Sequence, residues 1–175
     1  MRRQVNSDDG DYRQRANKLT FERSSLVPKK VTIQINGKQT YPEGHEDQQE
    51  LMNVGTYYER NGVFYVVYKD CDLDSIREGR DIESTTTFLS VKDGAVGLNR
   101  KGTVDNRQEF IKGVLNRSIY TTCFGKIWLS VMPHLVECDL TVHGGRISLE
   151  YDLFVDDNLV SYNRLLLNIK EDFPQ

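Results

Sequence analysis

The stretch RISLEYDLFV, residues 146–155, alternates apolar and polar side chains as far as Leu153. Every second side chain from Ile147 to Val155 is apolar, and those between them are polar or charged except Phe154. Successive side chains of a β-strand point to opposite faces of a sheet, so this period of two predicts a strand with one buried and one solvated face. A slip of one residue would expose the whole apolar set, so the pattern also specifies the register of the strand.

Similar alternation recurs along the chain from residue 30 onward, in short segments that end at turn-forming residue pairs. Asparagine, aspartate and glycine tolerate a positive φ, which the tight two-residue turns of β-hairpins require. We therefore predict hairpin turns at such pairs, after a first strand at residues 31–35. The pairs are Asn36-Gly37, Asn61-Gly62 and Asp93-Gly94.

About ten short extended segments, joined by tight turns without long crossovers, predict an all-β protein. An antiparallel meander of this kind forms either a sandwich or an up-and-down barrel, and the barrel is favoured because closure removes exposed sheet edges. We expect an antiparallel up-and-down β-barrel of about 8–10 strands over residues 29–175. Residues 1–28 are expected to form a basic N-terminal arm, poorly structured or partly helical.

Charge is unevenly distributed along the 175 residues, whose formal net charge is -3. Residues 1–30 carry eight Lys/Arg against four Asp/Glu, a local excess of basic residues. Three aspartates interrupt the basic residues and no interleaving of aromatic with basic residues marks a nucleic-acid site, so a solvated leader is favoured over a nucleic-acid contact. The sequence shows neither an apolar run long enough to span a membrane nor a secretory signal, so we expect a cytoplasmic protein without a membrane partner.

The three cysteines and three histidines are too scattered for a disulfide framework or a local metal-ligand pair. We therefore expect no metal and no cofactor. The acidic segment 70–81 carries carboxylates at several positions of a calcium-binding loop, but Ser75 replaces the glycine that such a loop needs for its turn. A hairpin tip is the favoured interpretation of this segment. The common nucleotide-binding and hydrolase motifs are missing from the sequence.

Several runs, in a fixed order, resemble the YwiB-like family of uncharacterised bacterial proteins. The matching elements include an Arg-x-Gly at residues 100–102, a Tyr-x-Thr-x-x-Gly at residues 120–125 and a late strand tyrosine, Tyr151. The resemblance implies a lipocalin-like (calycin) β-barrel and brings with it no reaction and no ligand, and fold alone does not give function. The basic arm is a departure from the family pattern. The runs are TTTFLSVKDGAVGLNRKG (85–102), IYTTCFG (119–125), GRISLEY (145–151) and NRLLLNI (163–169).

Arg100 is the first candidate for a binding residue. In the strand AVGLNRK (95–101) it shares a face with Val96 and Leu98, so its guanidinium is expected to point into the barrel. A buried arginine needs a partner, and either a carboxylate, Glu109 or Glu150, or an anionic ligand would serve.

Three hydroxyl side chains are the other candidates: Tyr120, Thr122 and Tyr151. Small-molecule pockets use a few placed polar groups among apolar ones, although tyrosines on half-buried strands are equally expected from packing alone. Cys123 lacks the surroundings of a nucleophilic cysteine, because no helix N-terminus or motif around it would activate the thiol. It is interpreted as a small side chain on the strand.

Three functional hypotheses follow from these residues. The first is a barrel that binds a small hydrophobic or anionic ligand. The second is an interaction module that contacts a protein, or less plausibly a nucleic acid, through the barrel surface and the basic arm. The third, ranked last, is a hydrolase or isomerase that uses Arg100 with Glu109, Glu150 or Asp152 as an acid-base set.

Overall fold

The computed structural model describes residues 27–71 and 84–172, which fold into ten β-strands and no helix. No helix in these two ranges is therefore available to cross a membrane. The strands are β1 (Lys29–Thr40), β2 (Glu46–Arg60), β3 (Val63–Cys71), β4 (Ser84–Lys92), β5 (Ala95–Gly102), β6 (Asn106–Phe110), β7 (Asn116–Thr122), β8 (Gly125–Thr141), β9 (Gly144–Val155) and β10 (Asn158–Glu171).

The ten strands form one antiparallel sheet in the order β6-β5-β4-β3-β2-β1-β10-β9-β8-β7. Strands that follow each other along the chain are neighbours in the sheet, except β6 and β7 at its two ends, and the first strand pairs with the last from Val31 to Thr40. The predicted all-β, up-and-down barrel is confirmed. Residues 1–26 lie outside the described residues, so the basic arm, with its boundary at residue 28, stays a prediction.

The barrel closes incompletely along the line between β6 and β7, which we call the seam. Asp105 and Thr121 exchange two backbone hydrogen bonds there, of 3.0 and 2.9 Å. Farther along the seam a side chain joins the two strands, because the Glu109 amide donates to Oδ1 of Asn116 over 3.1 Å. The seam is held by a single backbone bridge and by side-chain hydrogen bonds, whereas every other strand boundary is a hydrogen-bonded ladder of at least five residue pairs.

Two of the predicted hairpin turns are confirmed by their backbone conformation. Asn61 and Gly62 have φ of 54° and 77°, and Asp93 and Gly94 have φ of 49° and 78°. The prediction of a turn at residues 36–37 is wrong. β1 runs through this pair to Thr40 because β2 and β10 pair with it on both sides, and this pairing overrides the local turn preference.

The core fills the inside of the barrel with alternate side chains from nearly every strand. Ile147 and Leu149 of the RISLEYDLFV stretch are buried, and Tyr151 and Leu153 pack against them as partly buried residues. The predicted inward face of β9 is therefore confirmed. The fifteen buried apolar residues are Val31, Ile33, Ile35, Tyr57, Val66, Tyr68, Leu89, Val91, Val96, Phe110, Val131, Ile147, Leu149, Leu167 and Ile169.

β2 gains its second neighbouring strand at Gly55. Residues 55–60 pair with β3, whereas residues 46–54 pair only with β1. A Cβ atom on Gly55 would lie 2.5 Å from the Val67 carbonyl oxygen and 2.7 Å from Cδ1 of Ile33. Glycine is thus required where the two strands approach each other and then separate, as at the corner of a barrel.

Candidate functional site

A polar cluster occupies one end of the barrel interior, with Arg100 at its centre. Nη2 of Arg100 donates to Oδ2 of Asp70 over 3.1 Å, and the Thr87 hydroxyl donates to the same oxygen over 2.8 Å. The expected interior position of Arg100 is thus borne out by its contacts. Its carboxylate partner is Asp70 on β3, so the expectation of Glu109 or Glu150 is wrong.

The register of β3, β4 and β5 places this cluster. Thr87 lies opposite both Tyr68 and Arg100, and Asp70 is one inward position farther along β3, opposite Thr85. Arg100 therefore reaches diagonally across β4 to Asp70, a distance that long side chains can span between neighbouring rows of a sheet. The pair lies toward the barrel rim, since the Arg100 side chain is 32% exposed and that of Asp70 26%.

Three buried polar atoms beside this ion pair have no hydrogen-bond partner in the described residues: Nε of Arg100, and both Nε2 and Oε1 of Gln108. Gln108 is only 3% exposed and lies opposite Leu98 on the inward face of β6. A buried polar group without a partner costs roughly 1–3 kcal/mol. A ligand group or ordered water that hydrogen-bonds to Gln108 would consequently stabilise the interior more than one bound elsewhere in it.

Two further side chains add polar groups to the same end of the barrel. Asn106 is buried and lies opposite Arg100, and its Oδ1 accepts a 3.0 Å hydrogen bond from Ser118 across the seam. Burial raises the pKa of Tyr68 to about 12, with the charge of Asp70 as the next cause. The Tyr68 hydroxyl accordingly keeps its proton at physiological pH and is available as a donor.

An open pocket of about 570 Å³ lies at the seam, at the rim above the polar cluster. It is lined by Ser84 and Gly102 at the ends of β4 and β5, and by Asp105, Thr121 and Thr122 where β6 meets β7. Thr85 connects the pocket to the cluster, because Thr85 lies opposite both Gly102 and Asp70. The pocket therefore offers a polar approach to the interior.

The three predicted hydroxyl residues lie apart from one another in the structure. Tyr120 lies on the same face of β7 as Ser118 and is partly buried, whereas Thr122 lines the seam pocket and accepts a 3.1 Å hydrogen bond from the Phe124 amide. Tyr151 packs edge-on against Phe110, with ring centroids 5.1 Å apart, and burial raises its pKa to about 12. Their participation in binding stays a prediction, and only Thr122 lines the pocket.

Sequence reasoning missed three members of the cluster, Asp70, Asn106 and Gln108. The strand NRQEF (106–110) has buried residues at alternate positions, but two of the three are polar. The order of residue types along this strand could have indicated the inward face. The exposed positions hold residues of charged type, Arg107 and Glu109, and the positions between them hold neutral residues. Neutral polar side chains at one face of a short strand can thus mark a polar interior.

The carboxylates proposed for acid-base chemistry do not converge on Arg100. Glu150 forms an ion pair with Nε of Arg164, 3.1 Å away, and accepts a hydrogen bond from the Tyr162 hydroxyl over 2.5 Å. Asp152 lies 2.9 Å from Nε2 of His134. Glu109 is exposed on β6, on the opposite face from Gln108. The geometry therefore supplies no acid-base set around Arg100.

Cys123 lies in the turn between β7 and β8 and is exposed, so its interpretation as a strand residue is wrong. β7 ends one residue earlier, at Thr122. Residues 72–81 of the acidic segment lie outside the described residues, so the interpretation of that segment is not tested. Within residues 27–71 and 84–172, no group of three or more His, Cys, Asp or Glu side chains is placed to hold a metal ion.

Comparison with known proteins places the chain in a family. Residues 33–167 match the family model described as Domain of unknown function (DUF1934). The chain belongs to this family. It is 29% identical over 116 residues to the uncharacterized β-barrel protein YwiB of Bacillus subtilis (strain 168), a match that covers 66% of this chain and 75% of the relative. The resemblance to the YwiB-like family is thereby confirmed.

A solved structure supports the same fold. The crystal structure of ywiB protein from Bacillus subtilis superposes with a TM-score of 0.73, at 21% identity, over 87% of this chain and 99% of that one. At this identity the likeness shows the fold. The family description and the name of the relative both leave function open, so function has to be argued from the residues of this chain.

Proposed function

We propose that this protein is a cytoplasmic barrel that binds a small molecule, whose polar or anionic end lies against Arg100 and Gln108. The observation that carries the proposal is the set of three buried polar atoms on these two side chains that have no hydrogen-bond partner within residues 27–71 and 84–172. Nε of Arg100 and Nε2 of Gln108 are donors, and Oε1 of Gln108 is an acceptor. A carboxylic acid or an amide offers both an acceptor and a donor to this set, whereas a carboxylate offers acceptors to the two donors only.

The charge of Arg100 is already offset by Asp70, so the cluster does not depend on a ligand anion for neutrality. A neutral polar group therefore fits the site as well as an anion does. The rest of the ligand would meet apolar neighbours, because Leu98 lies opposite Gln108 and Phe110 follows on the same face of β6. Access would be through the seam pocket, past Thr122 and Asp105.

Native mass spectrometry of the full chain, purified without denaturation from its own cells, tests the proposal directly. We expect a retained small molecule that is released on denaturation and can then be identified. The variants Arg100→Met and Gln108→Leu, which keep the approximate size of each side chain, should lose it. Arg107→Met and Gln48→Leu are matched controls, because both residues are exposed on the barrel surface.

Two results would overturn this function. One is a wild-type protein that carries no small molecule when prepared from cells, together with a crystal structure in which ordered water is hydrogen-bonded to Nε of Arg100 and to Nε2 and Oε1 of Gln108. The other is a retained molecule that survives both interior substitutions, since the polar cluster would then play no part in holding it.

A further inference from the structure

One edge of β2 is bare in the described part of the chain. Residues 46–54 pair with β1 on one side, from Thr40↔Glu46 to Thr32↔Val54. On the other side, pairing with β3 begins only at Gly55, and residues 69–71 of β3 continue beside β4 instead. Nine consecutive residues thus present a strand edge with no neighbour in residues 27–71 and 84–172.

A bare strand edge offers a row of backbone donors and acceptors that an extended peptide can use, and proteins commonly protect such edges. The β2 edge contains no proline, and it is straight enough to form a continuous ladder with β1 along its whole length. Its exposed apolar side chains are also unusual for a solvated strand, since Met52 is 71% exposed and Val54 58%.

The edge has a definite charge pattern. Residues 46–54 contain Glu46, Asp47 and Glu50 but no lysine or arginine. Alternation places Glu46 and Glu50 on the same face as Met52 and Val54. On this face, the N-terminal half of the β2 edge is acidic and the C-terminal half is apolar.

Contacts from β1 hold the two glutamates in place. Nζ of Lys38 lies 2.9 Å from Oε1 of Glu46, and Nε2 of Gln34 donates to Oε1 of Glu50 over 2.7 Å. Among the described residues both contacts use the Oε1 atom, so Oε2 of each glutamate is available to a cation beyond the edge. The opposite charges of Lys38 and Glu46 also stabilise the pairing of β1 with β2.

We propose that the β2 edge at residues 46–54 is a docking site for an extended segment of a partner protein, which adds as a further strand. The partner segment carries lysine or arginine opposite Glu46 and Glu50, and apolar side chains opposite Met52 and Val54. Backbone hydrogen bonds hold the segment, and the side-chain pattern selects it. This inference is independent of the ligand site in the barrel interior.

A second copy of this chain is a poorer occupant of the edge. Two β2 edges that pair antiparallel with full overlap place Glu50 directly opposite Glu50 of the other copy. Like charges at opposed positions destabilise a strand pair. The acidic residues thus disfavour self-association while they attract a basic segment.

Amide hydrogen exchange of the full chain tests the proposal, with a synthetic peptide as the probe. The nine-residue peptide has valine at its first and third positions, lysine at its fifth and ninth, and threonine elsewhere, to match residues 54 to 46 in antiparallel pairing. We expect saturating peptide to slow exchange of the outward amides within residues 46–54 by about tenfold or more. Exchange in β4 and β5 should be unchanged.

Charge reversal and backbone methylation identify the mode of binding. Glu46→Lys and Glu50→Lys should each weaken the peptide about two- to fivefold, whereas Glu109→Lys, an exposed residue of β6, should not. The same peptide with alternate backbone nitrogens methylated should fail to protect the edge. Equal protection by the methylated peptide would overturn the proposal, since charge attraction without strand pairing would then explain binding.

Two other outcomes would also overturn it. If the outward amides of residues 46–54 are already protected in the isolated chain at low micromolar concentration, another part of the same chain covers the edge. If protection instead rises with protein concentration, together with a dimer mass, the occupant is a second copy.

Discussion

The Tyr57 hydroxyl donates a 2.6 Å hydrogen bond to the backbone carbonyl of Thr141, across the barrel from β2 to the end of β8. Tyr57 is fully buried, and burial is the main cause that raises the pKa of its hydroxyl above the ordinary value. The phenol therefore stays protonated and donates over the whole physiological pH range. This bond ties two strands that are not neighbours in the sheet.

Tyr57→Phe should destabilise the barrel by about 1 kcal/mol, because it removes the donor while the more exposed Thr141 carbonyl can still bind water. Urea unfolding followed by fluorescence gives the difference in unfolding free energy. Tyr58→Phe is the matched control, since Tyr58 lies on the other face of β2 and stacks with Tyr65, and its loss should be clearly smaller. Equal losses in the two variants would contradict a specific role for the Tyr57 hydrogen bond.

Gly55→Ala should cost about 1–3 kcal/mol, because the new methyl group would overlap backbone and force the strands apart. Gly37→Ala is the comparison, since a Cβ there would meet Cδ1 of Leu165 at 3.9 Å, an ordinary contact. Thermal unfolding of both variants measures the two losses of stability, and we expect the loss in Gly55→Ala to be the larger. An alanine that is tolerated equally well at both positions would show that β2 has no tight crossing at residue 55.

Arg100 and Asp70 should show a coupling energy of about 0.5–1 kcal/mol in a double-mutant cycle. Either single change, Arg100→Met or Asp70→Asn, leaves a polar group without its charged partner, and the double variant removes both charges. The sum of the two single losses should therefore exceed the loss in the double variant. Additive losses, measured by urea unfolding of all four proteins, would rule out an energetic link between the two side chains.

Glu171 should make stability depend on pH on the acid side. The hydrogen bond from Lys29 and then that from His143 hold the pKa of Glu171 below its ordinary value. A carboxyl group whose folded pKa is depressed adds stability above its unfolded pKa, and this stability is lost as pH falls through the folded value. The loss should thus develop below about pH 4.5.

Melting temperatures measured from pH 3 to 6 test this dependence. Glu171→Gln should flatten the acid limb of the curve, whereas Glu137→Gln, an exposed residue of β8, should leave its shape unchanged. A Glu171→Gln curve parallel to that of the wild type would contradict the assignment.

Local chemistry was enough to predict the elements but only part of their pairing. The alternation in residues 146–155 and the turns at 61–62 and 93–94 depend on neighbouring residues alone, and all three predictions are confirmed. The pair at 36–37 has the same turn chemistry, yet it lies inside β1. What decides that position is pairing with β10, about 130 residues farther along the chain.

The same division applies to the candidate site. The inward direction of Arg100 follows from alternation within one strand, so the sequence predicts it. Its partner Asp70 depends on the relative register of β3, β4 and β5, which a single sequence does not specify. Gln108 was missed because a neutral polar side chain on a short strand looks like a surface residue until the barrel is closed around it.

Pairing of the first strand with the last has a consequence for folding kinetics. β1 to β6 and β7 to β10 are each built from hairpins that form locally, but the β1–β10 ladder joins residues such as Val31 and Glu171, which are 140 positions apart. Contacts of such high sequence separation are slow to form because loop-closure entropy must be overcome first. During synthesis on the ribosome, β1 has to wait for β10 to emerge before the two can pair, so the β1–β10 ladder forms late.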